Sequence, residues 1–272
     1  MSEVSEILAA LHENGLPTPE AAAVFCGGPA ARGWSDVVAE VRVRIVTEQS
    51  WGLPGAWPQS VPLDPGSVAA LRVRVADRTV RLTCWTAAQV EAVLAKVTRE
   101  RFEVPRAAPL LVEAEELLVE DLLTGCVVSG SRWISGQRVI AAAGAFREFV
   151  VTRSLGDAEG AVEDALGQLA SGDVHSAVLS ARKAFGHVVD SVLELAGCYG
   201  SYAPELRSRR FEEARTALMT YEEYWRLETM AGLDIDRPAD WVEQVVEFCE
   251  KTIATHPEHL VRRSLRGPRR GW

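Results

Sequence analysis

The chain has 272 residues, 47% of them hydrophobic and 25% charged, enough to bury the core of one large domain or two smaller ones. No run approaches the roughly 18 consecutive apolar residues of a membrane helix, which excludes a membrane partner from the reading, and the opening MSEVSEILAALHENG is patterned as an amphipathic helix rather than a signal peptide, so a cytoplasmic protein is expected. The net charge of -9 argues against indiscriminate nucleic-acid binding, and the five cysteines, far apart and never in a C-x-x-C pair, point to buried free thiols rather than a disulfide framework or a zinc site.

After the opening helix, AAAVFCGG is a short apolar run stopped by glycines, as in a buried strand or a helix end leading into a tight turn. In EVRVRIV the alternation puts Val41, Val43 and Ile45 on one face and Glu40, Arg42 and Arg44 on the other, the period of a half-buried strand. Trp51 to Ser67 is rich in Pro and Gly and is expected to be a loop. ALRVRVADRTVRLTCW predicts a hairpin about an ADR turn, with Leu71, Val73, Val75, Val80 and Leu82 on its apolar face and Arg72, Arg74 and Arg81 opposite.

From TAAQVEAVLAKV onward the period changes to that of a helix. AEELLVEDLLTG is a helix stopped by Gly125, and a helix through QRVIAAAGAFREFVVTRSLG follows. DAEGAVEDALGQLASGD and DVHSAVLSARKAFGHVVDSVLELAG form a helical pair, with Asp173 as N-cap of the second. YEEYWRLETMAG and ADWVEQVVEFCEKTIATH add further helices, and the helical spacing of Tyr221, Tyr224 and Trp225 assigns them to a core. The expectation is therefore an α+β protein: a mixed sheet with flanking helices over 1–105, an all-helical bundle over 106–260, and a basic, disordered tail over 261–272.

The turn GG-x-A-A-R-G-W, the alternating strand, the hairpin and the helical stretch GDVHSAVLSARKAFGHVVDSVLELAG together resemble the nucleotidyltransferase fold of the kanamycin-nucleotidyltransferase type, through about residue 255. The resemblance implies a G-S-x-x-R-G turn that cradles phosphates, an S-D-x-D strand, and a third carboxylate on a neighbouring strand, so that two metal ions can orient in-line attack. Matched without gaps, the serine becomes Gly28, the first aspartate Glu40 and the second Arg42, while the third carboxylate becomes Arg81 or Thr83. A gapped match places Ser35 and Asp36 on the S-D pair and Val38 on the second aspartate. Neither register builds a two-metal site, because a guanidinium stays charged and repels the cation beside it. No metal and no cofactor is expected.

Positive charge replaces the carboxylates. Arg42, Arg44, Arg72, Arg74 and Arg81 project from one sheet face, where they must meet solvent, acidic side chains or an anionic ligand. The first two outcomes are a solvated, internally paired face; the third is a metal-free anion pocket, joined by Arg32. In the pocket reading Glu40 is the candidate acid or base, and Gly27, Gly28, Arg32, Arg42, Arg81 and Trp85 contact the ligand. The resemblance also brings the helix carrying His175, Arg182 and His187 to the cleft. Arg182 and His187 have the R-x4-H spacing of the HEPN ribonuclease motif, which sets them on different sides of a helix, whereas His187 and Asp190 lie one turn apart, where a carboxylate orients an imidazole. The leading reading is a nucleotidyltransferase-fold protein that has lost metal-dependent transfer and takes a small anionic or natural-product-like ligand in specialised metabolism. The alternatives are a non-catalytic regulatory or partner subunit and an active nucleotidyltransferase; a homo-oligomer is left open.

Overall fold

The structure is a computed structural model that describes residues 23–34, 40–50, 55–75, 78–104 and 109–256. The opening helix, the Ser35, Asp36 and Val38 register, Trp51, and the tail 261–272 lie outside these residues. The chain forms two compact units, Met1–Phe146 and Arg147–Trp272.

The first unit is built on a six-stranded mixed sheet: β1 (Ala23–Gly27), β2 (Val41–Thr47), β3 (Trp57–Ser60), β4 (Ser67–Val75), β5 (Arg78–Thr86) and β6 (Cys126–Ser129), in the order β3-β4-β5-β2-β1-β6. Only β2 and β5 run parallel; the other neighbours are antiparallel. The β4–β5 hairpin forms as the alternation requires, and Val41, Val43, Ile45, Leu71, Val75, Val80 and Leu82 gather in one apolar cluster with Val73 packed against it. Two strands were not anticipated. Trp57–Ser60, inside the expected loop, pairs along β4, and Cys126–Ser129 adds an edge beside β1. Both are four residues long, too short for periodicity to reveal.

Helices α1 (Ala87–Lys96), α2 (Arg99–Glu103), α3 (Glu113–Thr124) and α4 (Ser131–Ala143) belong to this unit. Thr86 caps α1 in a reciprocal box with Gln89, and Gln89 also donates to the carbonyls of Pro65 and Ser67. Because α1 packs on β5, and α3 and α4 on β1, the first compact unit runs to Phe146, past the boundary near 105 expected from the sequence. Helical period marks a helix; it does not say which core the helix covers.

In the second unit, α5 (Phe146–Ala170) is one 25-residue helix where two were expected, starting after Gly144 breaks it from α4. It is followed by α6 (Val174–Leu195), α7 (Arg207–Glu213), α8 (Tyr221–Glu228) and α9 (Pro238–Thr255). Asp173 caps α6 as expected, accepting from the Ser176 N–H at 3.2 Å. The α6 and α9 faces share a core of Ala181, Phe185, Val188, Val242, Val245 and Cys249. Tyr224 is in this core, but Tyr221 and Trp225 are 42% and 49% exposed, so only one of the three aromatics fills the assigned role. Among the described residues, no helix is long and apolar enough to cross a membrane.

Candidate functional site

In the sheet unit the turn, the strand arginines and α3 converge on a single carboxylate. Asp121, fully buried on α3, accepts from the Gly28 N–H at 3.1 Å, from Arg42 Nη2 at 2.6 Å and Nε at 3.0 Å, and from Arg44 Nε at 2.8 Å. Arg44 is itself buried and donates onward to Thr83 Oγ1 at 2.8 Å. The neighbouring Glu120 accepts from Arg42 at 3.3 Å and stands 3.8 Å from Arg32, whose guanidinium also lies over the Trp34 ring. Burial pushes the Asp121 carboxyl up, but Arg42 and Arg44 outweigh it and hold the group below the ordinary carboxylate range. Gly27 is required by the same contact, since a Cβ there would stand 1.9 Å from Asp121 Oδ1.

The expected anion pocket is therefore occupied by the chain itself. Gly27, Gly28, Arg32 and Arg42 are brought together as foreseen, but around a protein carboxylate. Arg72 pairs with Glu40 at 2.8 Å on an exposed part of the sheet, which removes Glu40 from the cluster. Arg81, opposite both Arg42 and Arg72 in register, donates to Gln59 Oε1 at 3.1 Å, and its buried Nε has no partner. Trp85 is 1% exposed and gives its indole N–H to Thr83, so it is a core residue rather than a ligand wall. Among the described residues, no group of three or more His, Cys, Asp or Glu side chains is placed to hold a metal ion.

The second unit contains an open cleft of about 740 Å³, walled by Arg153, Ser154 and Asp157 of α5, by the stripe Leu179, Arg182, Lys183, Gly186, His187 and Asp190 of α6, and by Ser201, Tyr202, Pro204, Glu205, Arg207 and Glu228. Arg182 and His187 both line it, at opposite edges of that stripe. They lie on different sides of the helix as expected, and the cleft takes in both because it spans a wide arc of α6. His175 is exposed in the first turn of α6 and is not among the lining residues.

Most charges in the cleft are committed. Asp190 accepts from Arg207 Nε at 3.1 Å and Nη2 at 2.8 Å, and from the fully buried Arg210 at 2.6 Å. Gly186 leaves room for Arg207, which would stand 2.8 Å from a Cβ there. Arg182 reaches Glu228 at 3.5 Å, and Arg153 reaches Glu194 at 3.4 Å while lying over the Tyr202 ring. Lys183 and His187 have no hydrogen-bonding or ion-pair partner among the described residues. Burial lowers the His187 pKa, against the pull of Asp157 and Asp190, so the imidazole is neutral near pH 7 and can accept a proton.

Behind the cleft, burial pushes Glu194 up to about 7, despite Arg153 and the Ser154 hydroxyl that donates to it at 2.8 Å. The native state thus keeps a proton that the unfolded chain releases near its ordinary value of 4.5. Glu194 contributes full stability below that value, and the contribution is lost as pH rises through about 7. Relative to Glu194→Gln, the wild-type unfolding free energy should fall by on the order of 3 kcal/mol across this window, read from denaturant titrations at a series of pH values. Parallel curves would rule out the buried proton.

Asp121, Glu120, Arg153, Lys183 and Arg207 were not singled out in the sequence. For Asp121 a signal existed: in LLVEDLL it falls three and four residues after Leu118 and Leu117, on the apolar side of its helix, where an acid needs a buried cation.

No protein-family model matches the sequence, and no curated protein matches it. Among solved structures the chain is similar to one described as a nucleotidyltransferase-like protein from Exiguobacterium sibiricum, with 11% identity, a TM-score of 0.49, and coverage of 98% of this chain and 81% of that one. The α+β architecture itself rests on the strand order and helices described above.

Proposed function

We propose that this protein binds a small polar molecule bearing an anionic group in the cleft of its helical unit, and that its sheet unit is a nucleotidyltransferase-like scaffold without a two-metal site. The observation that carries the reading is Lys183 with His187: a cation and a neutral imidazole, one turn apart, facing a cleft of about 740 Å³ with no partner for either among the described residues. Lys183 suits a phosphate or carboxylate, and His187 suits a hydroxyl whose proton it can take. Asp157 and Glu205 offer acceptors on other walls, while Leu179, Tyr202 and Pro204 supply apolar surface for the body of a natural-product-like ligand. His187 replaces Glu40 as the acid–base candidate, because Glu40 is paired with Arg72 and does not line this cleft. For the sheet unit, the support is Arg42 at the place of a metal-binding aspartate in the resemblance, held there by Asp121.

The test is a thermal-shift screen of sugar phosphates, amino sugars and carboxylated metabolites, followed by calorimetry on the best binder. Lys183→Ala should weaken its binding by about tenfold to a hundredfold with little change in stability, because Lys183 is exposed and unpaired. A binder indifferent to both Lys183→Ala and His187→Ala would place the site elsewhere. A melting shift that needs magnesium and a nucleoside triphosphate together would favour a surviving transferase instead. The partner-subunit reading has one observation in its favour: Tyr221 and Trp225 lie stacked, with centroids 6.2 Å apart, and half-exposed on α8.

A further inference from the structure

Cys26 and Cys126 are a hundred positions apart in the sequence, yet they are direct partners in the antiparallel pairing of β1 with β6. Direct partners in such a ladder have Cα atoms about 4.5 to 5.5 Å apart and side chains on the same face. A disulfide spans Cα separations of about 4.4 to 6.8 Å. The pairing is regular where it matters: Phe25 with Val127 and Cys26 with Cys126 are consecutive partners, and the β-bulge that leaves Val128 unpaired lies on the far side of Val127. The junction is also tight. Gly125 alone joins α3 to β6, and a Cβ on it would stand 2.3 Å from the Cys26 carbonyl oxygen, so glycine lets β6 lie this close to β1. The other thiols have no such neighbour on the sheet, where Cys84 sits on β5, separated from β1 by β2.

We infer that Cys26 and Cys126 are an oxidisable pair that closes into a cross-strand disulfide beside the glycine turn. The two thiols divide the work. Cys126 is exposed and meets the oxidant first, whereas Cys26 is buried and enters only as the resolving partner. With a peroxide, the Cys126 sulfur attacks the O–O bond and becomes a sulfenic acid as one water leaves. The Cys26 sulfur then displaces the hydroxyl from Cys126, and that hydroxyl leaves with the Cys26 proton as a second water. Two thiols are oxidised by two electrons, and one peroxide is reduced to two waters. Burial pushes the Cys26 thiol up to about 12, so the second step is slow near neutrality and accelerates with pH. Closure also removes the Cys126 S–H that donates to the Ala31 carbonyl at 3.1 Å, which frees one tether of the turn carrying Arg32.

The experiment treats the purified full-length chain with hydrogen peroxide at about pH 8.5, where more of the Cys26 thiol is ionised. Alkylation, non-reducing digestion and mass spectrometry follow. The expected product is one linked peptide pair, about 2 Da lighter than the sum of its parts, with Cys26 joined to Cys126. The reactive thiol count under denaturing conditions should fall from the five of the sequence to three, and dithiothreitol should restore it. Cys126→Ser, at an exposed position that folding tolerates, should abolish the linked pair and leave Cys26 alkylated. Cys126 found as sulfinic acid, or in an intermolecular bridge, with Cys26 still a free thiol in the wild-type chain, would overturn the inference.

Discussion

Asp121→Asn should lower the unfolding free energy by about 3 to 5 kcal/mol, one of the two largest single-residue effects expected in this protein. The substitution keeps the shape, and its Oδ1 can still accept from the Gly28 N–H, so the loss isolates charge. What remains is Arg42 and Arg44 side by side, the second of them buried, with no carboxylate between them. Breaking a buried ion pair from one side costs the desolvation of the charge left behind, which is why the effect exceeds that of a surface bridge. Arg44→Met combined with Asp121→Leu should cost less than Asp121→Asn alone, since the buried Arg44 leaves with its partner, apolar atoms refill the volume, and Arg42 keeps Glu120 at 3.3 Å. Gly27→Ala attacks the same contact sterically and should also destabilise, because the new methyl claims the space of Asp121 Oδ1. Equilibrium urea titrations decide the matter. A change below about 1 kcal/mol for Asp121→Asn would show that the cluster is solvated rather than locked.

Asp190→Ala should cost a similar amount, about 3 to 5 kcal/mol, and should disturb ligand binding as well. Asp190 is the shared acceptor for Arg207 and Arg210, and Arg210 is fully buried with its Nη2 already unpartnered. Removing the carboxylate leaves that guanidinium its hydrogen bond to the Cys198 carbonyl, with Glu194 as the remaining nearby acid, and releases Arg207 from the cleft wall. Stability and binding are separated by Gly186→Ala, which keeps every charge but pushes Arg207 off α6. If the cleft is the binding site, this variant should lose affinity for the screened binder by more than its stability change explains. Equal affinity in Gly186→Ala and wild type would show that Arg207 has no place in the site, and a stable Asp190→Ala would show that Arg210 finds another partner.

Local pattern determined much of this protein from the sequence alone. The alternation of Val41, Val43 and Ile45 and of Leu71, Val75, Val80 and Leu82 set which face of each strand joins the apolar cluster, because a strand in the other register would turn its arginines into that cluster. The cap at Asp173 and the stop at Gly125 likewise follow from backbone chemistry legible within a few residues, whereas the break at Gly144 falls inside a stretch whose periodicity reads as one helix. That Arg42 must meet solvent, an acid or an anion was also legible there. What neutralises Arg42 was not, because Asp121 lies 79 residues away on a helix whose partner surface no periodicity names. The same holds for the pairing of Cys26 with Cys126 and for the cleft that joins Arg182 and His187 to Arg153 and Arg207. Sequence spacing specifies the direction of a side chain relative to its own element. Only tertiary packing brings a second element against it, and burial then turns that neighbour from a charge in water into a partner the fold depends on.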